Sequence, residues 1–227
     1  MGAINRELHF DRLARPYRWL EYASFGRALE RCRLYFLPQL MQARRAIVYG
    51  DGDGRFLEKL LMANPDLRAD VVDISATMLR LLQERLTPEA RERVTVHHAD
   101  ARGFLPPENN YDLVITHFFL DCLTTAEIDA LVDRLIPRLA QEALWVDSEF
   151  AIPKGQLASR LGKAVISLLY LAFGWITALQ VRTLPDYGSS MQRAGWILAE
   201  SKPWLRGLLV SQIWQSSIQP QRQPLTG

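Results

Sequence analysis

The sequence predicts an α/β protein with a seven-stranded, mostly parallel sheet, helices on both faces and a final antiparallel strand pair. Three observations predict this class. From residue 46 onward, short apolar runs alternate with segments of helical periodicity, which is typical of parallel sheets. Two strand-like segments follow closely upon each other near the C-terminus, which favours antiparallel pairing. The 227 residues are also enough to bury one sizeable core.

The first half of the chain contains most of the predicted elements. Residues 8–40 predict one or two helices that cover the main domain, and the second of these, Arg27 to Leu37, ends at Pro38. Short apolar runs then predict five strands, at residues 46–49, 69–74, 93–97, 111–116 and 143–147. Segments of helical periodicity predict the helices between them, at residues 56–62, 76–86 and 125–139. The predicted N-caps are Ser75 and, in a capping-box pattern, Thr124.

The last third of the chain has a different pattern. A long apolar helix is predicted over about residues 157–179, followed by a short helix over 186–193 that Gly195 closes. Two strands are predicted at 196–200 and 205–215, with a tight connection at residues 201–204. The boundaries that follow are an N-terminal helical cover at 1–43, the main domain at 44–216 and a polar, disordered tail at 217–227.

The net charge of +2 hides an uneven distribution. Residues 1–45 carry a net +5, residues 46–150 a net −9 and residues 151–227 a net +6. A nucleic-acid binder more often keeps its basic residues on the face of its main domain, so this pattern predicts no nucleic-acid partner. The two cysteines, Cys32 and Cys122, provide no disulfide framework and indicate a reducing compartment, which predicts a cytoplasmic protein.

One uncharged stretch of eighteen residues, 164–181, reaches the lower limit for a membrane span. It contains polar residues and glycine, which favour a buried or interfacial helix instead. Because the flanking arms are basic, peripheral contact with a membrane surface is a further hypothesis.

A glycine-rich loop follows the first predicted strand. Gly50, Gly52 and Gly54 alternate with Asp51 and Asp53, and a helix begins directly afterwards. Alternating glycines let the backbone turn sharply and let a ligand approach the main chain, although an ordinary tight turn has the same composition. The two aspartates would repel a phosphate, and the spacing departs from the dinucleotide pattern, so a nucleoside without a pyrophosphate fits better.

Two further carboxylates follow neighbouring strands. Asp73 ends the second strand and can bind both hydroxyls of a ribose, while Asp100 follows the third strand and can accept the amine of adenine. Each aspartate alone could be a cap or turn residue. Together with the glycine loop they mark the edge of the sheet at which open α/β folds bind ligands.

Four segments together resemble one family. The run from Ile47 to Leu57 resembles the glycine loop of class I S-adenosylmethionine-dependent methyltransferases, and residues 72–79, 98–101 and 110–115 resemble their second-, third- and fourth-strand motifs. The resemblance covers roughly residues 44–216, including the closing strand pair. It implies a Rossmann-like fold, S-adenosylmethionine as cofactor and S-adenosylhomocysteine as product.

The resemblance also implies a set of cofactor-binding residues. The three loop glycines would line the methionine part, Asp73 would hold the ribose, and Ile74 would flank the adenine. Asp100 and Ala101 would contact the adenine edge. The remaining predicted cofactor-binding residues are Asp51, Met78 and His117.

The N-terminal segment from Phe10 to Leu20 resembles the entry helix of ubiquinone/menaquinone-type C-methyltransferases and their small-molecule relatives. In those proteins this helix covers the cofactor, and Tyr17 matches a position that touches the methionine part. Tyr17 fits equally well as a core aromatic residue of an amphipathic helix.

Catalytic candidates follow the fourth strand. His117 is expected near the cofactor sulfur, where a base with a pKa near neutrality would serve, although a cofactor contact without catalysis fits as well. Asp121 could orient His117, act as the base itself or cap the next helix. No His, Cys and carboxylate cluster has metal-ligand spacing, so no metal is predicted.

Methyl transfer to a small apolar or aromatic acceptor, at an O, C or S atom, is the function that the resemblance implies. The family places substrate selectivity in the insert after the fifth strand, here a helical lid at about 152–187 that is rich in apolar and aromatic residues. A non-catalytic binding or partner subunit is the alternative, because Val48 stands where the family usually has an acidic residue. A nicotinamide-dependent oxidoreductase is disfavoured, since Arg55 replaces a third glycine of the dinucleotide pattern.

Overall fold

The computed structural model describes residues 27–153 and 184–217. Seven strands form one sheet. In chain order they are β1 (Arg45–Tyr49), β2 (Arg68–Asp73), β3 (Val94–His98), β4 (Tyr111–His117), β5 (Leu139–Phe150), β6 (Trp196–Trp204) and β7 (Leu209–Ser216). In the described residues six α-helices accompany them, namely α1 (Ala28–Leu34), α2 (Arg55–Ala63), α3 (Ala76–Arg85), α4 (Pro88–Arg91), α5 (Thr125–Leu135) and α6 (Tyr187–Arg193).

The strand order across the sheet is β3-β2-β1-β4-β5-β7-β6. Strands β1 to β5 are parallel, whereas β7 pairs antiparallel with both β5 and β6. The predicted fold class is therefore confirmed. The chain runs outward in one direction from β1 to β3 and then crosses back to β4, so the order reverses between β1 and β4. Open α/β sheets bind their ligands at such a reversal.

Two apolar cores cover the two faces of the sheet. Helices α2 and α3 pack on one face through side chains that include Phe56, Leu60 and Leu82. Helices α5 and α6 pack on the other face, around Trp145 and Trp214 of β5 and β7. Burial on both faces explains why the central strands are continuous apolar runs in the sequence.

Local capping agrees with the sequence at both predicted N-termini. The Ser75 hydroxyl accepts a hydrogen bond from the Met78 N–H at 3.2 Å. Thr124 and Glu127 form the reciprocal capping box at the start of α5. Both caps satisfy backbone N–H groups that have no partner within the helix.

Several predicted boundaries are wrong. Helix α5 ends at Leu135, not Leu139, because Pro137 lies in the 3-10 helix that follows and cannot donate to a helical hydrogen bond. Strand β5 then begins at Leu139, four residues before the prediction. Near the N-terminus, α1 ends at Leu34, and Pro38 lies inside a separate 3-10 helix, Leu37–Leu40.

The connection in the final strand pair also lies later than predicted. Strand β6 continues through Pro203 to Trp204, and the turn occupies Leu205 to Gly207, where the backbone has positive φ angles. Because β6 is the edge strand of the sheet, a proline without an N–H is tolerated there.

Candidate functional site

The glycine loop connects β1 to α2 at the point where the strand order reverses. Gly50, Gly52 and Gly54 all have left-handed backbones, with φ angles of 66°, 60° and 78°. A Cβ atom at Gly50 would lie 2.7 Å from the Phe119 ring, and one at Gly54 would lie 2.6 Å from Leu82. A Cβ at Gly52 would meet no heavy atom of the described residues within 4 Å. Gly50 and Gly54 are therefore required by packing, whereas Gly52 leaves space in which a ligand can approach the main chain.

The two aspartates of the loop hold its conformation. The Asp51 carboxylate accepts a hydrogen bond from the Leu57 N–H at 3.0 Å, which ties the loop to the first turn of α2. Asp53 accepts from the guanidinium groups of Arg85 at 2.8 Å and Arg55 at 3.1 Å. Burial raises the pKa of Asp51 to about 7.

Val48 lies in the apolar core beneath this loop and is fully buried. The position that is usually acidic in the family therefore contributes packing here. The contacts of Asp51 and Asp53 show that the loop is ordered by its own carboxylates instead.

Asp73 ends β2, as the sequence predicts, and lies opposite His98 of β3 in the sheet register. Its Oδ1 accepts a hydrogen bond from the Ser75 N–H at 2.8 Å. This contact fixes the carboxylate at the edge of the sheet next to the glycine loop, whose Gly50 N–H donates to the Val72 carbonyl at 3.1 Å. Ile74 and Met78 are half-buried nearby.

Asp100 follows β3 but is engaged by a neighbouring cation. The Arg102 guanidinium pairs with both Asp100 oxygens and also reaches Glu127 at 3.4 Å. Ala101 is buried, and its carbonyl accepts from Arg134 at 3.2 Å. A contact between Asp100 and an adenine amine would therefore compete with Arg102.

His117 ends β4 and is 3% exposed. Its ring packs edge-on against Phe56 with centroids 4.4 Å apart, and neither ring nitrogen has a hydrogen-bond partner among the described residues. Burial, and then the charge of Arg33, lower the pKa of His117 to about 3. The expected pKa near neutrality is therefore wrong, because the ring is desolvated and adjacent to a cation. The ring therefore donates no hydrogen bond to Asp121, so the alternative in which Asp121 orients His117 has no support among the described residues.

Asp121 lies in the 3-10 helix Leu120–Cys122 and is 7% exposed. Burial raises its pKa above the usual range. It is Thr124, not Asp121, that caps α5. Asp121 therefore remains a candidate for holding or accepting a proton.

Two acidic residues of β5 were missed by the sequence reasoning. Asp147 and Glu149 are both fully buried. Asp147 accepts a hydrogen bond from the Trp214 indole N–H at 2.7 Å, and burial raises its pKa to about 8. One oxygen of each carboxyl group has no described partner. The sequence did contain a signal for this pair. Two acidic residues at positions i and i+2 of an apolar run lie on the same face of a strand.

The two adjacent histidines of β3 have separate partners. His97 contacts Asp70 at 2.6 Å, and His98 contacts the carbonyl of Ile74 at 3.0 Å. Within residues 27–153 and 184–217, no group of three or more His, Cys, Asp and Glu side chains is arranged to hold a metal ion.

Some predictions lie outside the described residues. These are Tyr17 with the first part of the helical cover, nearly all of the lid, the uncharged stretch at 164–181 and the tail from residue 218. In the part of the chain that is described, no helix has the length and apolarity needed to cross a membrane.

A protein-family model matches residues 47–142 of this chain. The matched family is described as "Methyltransferase domain". Among solved structures, the mitomycin 7-O-methyltransferase MmcR superposes with a TM-score of 0.65 at 16% identity and covers 85% of this chain and 55% of its own. The N-methyltransferase NodS from Bradyrhizobium japonicum, solved in complex with S-adenosyl-L-homocysteine, has a TM-score of 0.59 at 14% identity, covering 84% of this chain and 88% of its own.

One curated relative is named for the transfer of an aminopropyl group and not of a methyl group. Polyamine aminopropyltransferase 2 of Bacillus cereus is 28% identical over 123 residues, which cover 48% of this chain and 33% of the relative. The chain thus spans about a third of the length of this relative. The family match and the shared fold confirm the resemblance of the sequence motifs to class I S-adenosylmethionine-dependent methyltransferases.

Proposed function

We propose that this chain, which carries a class I methyltransferase domain at residues 47–142, transfers a methyl group from S-adenosylmethionine to a small acceptor. The observation that carries the proposal is the glycine loop at the reversal of strand order. Its middle residue, Gly52, is left-handed and has room for a ligand among the described residues, while Asp73 stands at the next strand end. A nucleoside with an amino-acid chain fits this arrangement of bare backbone and carboxylate.

The residues around the loop fit the cofactor on physical grounds. The backbone at Gly52 gives close access, and the ring nitrogens of His117 are buried with no hydrogen-bond partner among the described residues. In this proposal the three glycines line the methionine part, and Asp73 binds the ribose hydroxyls. Ile74 and Met78 contact the adenine ring, and Ala101 and Asp100 lie at its edge.

S-adenosylmethionine supplies an electrophilic methyl group on a sulfonium sulfur. The protein must align the acceptor atom with that group and exclude water. The apolar and aromatic composition of residues 152–187 supports an apolar or aromatic acceptor held beneath a lid. This acceptor class is part of the proposal.

Asp121 is the better proposed base of the two catalytic candidates. Its pKa is raised by burial, which brings a carboxylate closer to the range that suits proton transfer near neutrality. His117, whose pKa is lowered to about 3, is assigned a neutral role beside the cofactor. Its ring can donate one hydrogen bond and accept another without changing charge.

Isothermal titration with S-adenosylmethionine and S-adenosylhomocysteine tests the proposal. Micromolar binding that is weakened at least about tenfold by D73A would support it. The control is D66N, which alters an exposed aspartate paired only with Arg44 among the described ion pairs. Absence of binding at millimolar nucleoside would contradict the cofactor assignment, and NAD in the same assay tests the oxidoreductase alternative.

The non-catalytic alternative needs a second measurement. A wild-type protein that binds the cofactor but methylates no compound among phenols, enols, thiols and amines would favour a binding or partner subunit. Mass spectrometry of small molecules that copurify with the chain provides the acceptor candidates for that assay.

A further inference from the structure

Helix α1 is fastened across the carboxyl end of β5 and the amino end of the antiparallel strand β7. The carbonyl oxygen of Cys32 accepts hydrogen bonds from the hydroxyl groups of Ser148 at 3.2 Å and Ser211 at 2.7 Å. The next residue, Arg33, is half-buried. This attachment fixes the backbone from which the Arg33 side chain extends.

The guanidinium of Arg33 lies beside the candidate cofactor site. Its Cζ is 5.0 Å from the centroid of the Phe118 ring, and Phe118 directly follows His117 with a left-handed φ of 53°. The same positive charge acts on two other groups: it adds to burial in lowering the pKa of His117 and partly offsets the effect of burial on the pKa of Asp51. The cation is therefore close to both the glycine loop and the end of β4.

We propose that Arg33 selects the donor nucleoside by pairing with the carboxylate of its methionine part, an inference that rests on the proposed function. This part of S-adenosylmethionine ends in one carboxylate and one ammonium group. A guanidinium binds a carboxylate through two parallel hydrogen bonds, and Asp51 offers the opposite charge for the ammonium across the loop. A Cβ at Gly52 would meet no heavy atom of the described residues within 4 Å, so a ligand can approach the backbone of the loop there.

Donor selection follows from this pairing. A sulfonium nucleoside that lacks the carboxylate, and carries only an aminopropyl chain, would leave Arg33 without this partner. The pairing therefore favours a methyl donor over an aminopropyl donor. This distinction matters because one relative of this chain is named an aminopropyltransferase.

The test compares two thioether nucleosides by isothermal titration. One is S-adenosylhomocysteine, and the other is 5′-deoxy-5′-(3-aminopropylthio)adenosine, which differs from it only in lacking the carboxylate. Wild-type protein is expected to bind the first at least about tenfold more tightly, because a charge-assisted pair is lost with the second. In R33M, which keeps an unbranched stem but removes the charge and the hydrogen-bond donors, the two affinities should become equal within about twofold, and R33K should lie between.

R31M is the matched control, because Arg31 lies on the same helix and is exposed. It should keep the wild-type ratio of affinities. The role of Arg33 would be overturned if R33M kept the same ratio of the two affinities as the wild-type protein. It would also be overturned if the wild-type protein bound the nucleoside without the carboxylate more tightly. Neither result would contradict the nucleoside site itself. Failure of wild-type protein to bind either nucleoside would instead contradict the proposed function. Thermal unfolding of each variant verifies that the comparison is made on folded protein.

Discussion

The carboxylate of Glu149 holds the backbone of Leu120. One Glu149 oxygen, Oε1, accepts hydrogen bonds from the Leu120 N–H at 2.9 Å and the Phe119 N–H at 3.2 Å. The turn that it fastens carries Phe119, whose ring stacks on Tyr49 with centroids 5.7 Å apart and fills the space above Gly50. A buried acid of β5 thus determines where the turn after β4 meets the glycine loop.

Replacing this acid should destabilise the protein. E149A leaves two backbone N–H groups buried without an acceptor, which is expected to cost about 2 kcal/mol or more in the free energy of unfolding. E149Q retains an amide oxygen for both donors and should stay within about 1 kcal/mol of wild type. Urea unfolding at pH 7 measures both values.

The control is E142Q, since Glu142 is an exposed acid on the same strand. Its unfolding free energy should match that of wild type. If E149A and E149Q lowered the free energy of unfolding equally, the hydrogen-bonding role would be contradicted. E149Q keeps the acceptor and removes only the charge, so an equal loss would be due to the charge.

Two glycines of the loop should respond differently to alanine. G54A places a Cβ 2.6 Å from Leu82 in a left-handed backbone. The variant should therefore lower the free energy of unfolding by more than the backbone strain alone would, because the clash with Leu82 adds to it. G52A adds only the strain, about 1 kcal/mol, but places a methyl group where the ligand approaches. Its affinity for S-adenosylhomocysteine should fall at least about tenfold.

Thermal unfolding and isothermal titration on the same preparations separate these effects. A G52A variant that binds the nucleoside as tightly as wild type would place the ligand elsewhere. A G54A variant with unchanged stability would contradict the contact with Leu82.

Much of the fold could be predicted from the sequence, because the strands are buried on both faces and appear as apolar runs. The failures lie where the chain is exposed or interrupted. Pro203 in β6 suggested a turn, yet an edge strand needs no N–H donor at that position. Pro137 ended α5 early and allowed β5 to begin sooner.

The candidate site was only partly predictable, because sequence position does not reveal burial or pairing. Asp73 was recognised by its place at a strand end, and the structure has it there. The pKa of His117, the engagement of Asp100 by Arg102 and the hydrogen bonds of Glu149 depend on side chains distant in sequence. No local pattern contains that information.

His117 should remain neutral throughout the physiological range. Burial and the nearby Arg33 lower the pKa of His117 to about 3 in the folded protein, below its ordinary value of 6.5. As the pH falls below about 6.5 the unfolded chain takes up a proton and the folded one does not, so His117 makes folding less favourable in acid. Imidazole resonances, assigned by comparison with H117Q, should show no titration of His117 between pH 5 and 8. A midpoint near 6.5 would contradict its burial in the folded state.

Asp147 should make the protein progressively less stable as the pH rises from about 4 to about 8. Burial raises its folded pKa to about 8, above the ordinary value of 3.8. Below the ordinary value both states hold the proton, and no difference arises. As the pH rises from about 4 to about 8 the unfolded chain loses its proton while the folded one retains it, so stability is progressively lost.

D147N should remove this pH dependence. Asparagine stays neutral and keeps an oxygen for the Trp214 indole N–H, which the carboxylate binds at 2.7 Å. Relative to wild type, the variant should gain stability between pH 4 and pH 8, reaching at least about 1 kcal/mol at the upper end, since one pKa unit corresponds to about 1.4 kcal/mol. Urea unfolding at several pH values measures the difference, with D133N, at an exposed position of α5, as the control. If the difference between D147N and wild type were the same at pH 4 and pH 8, the buried carboxyl group would not be the titrating group that sets it.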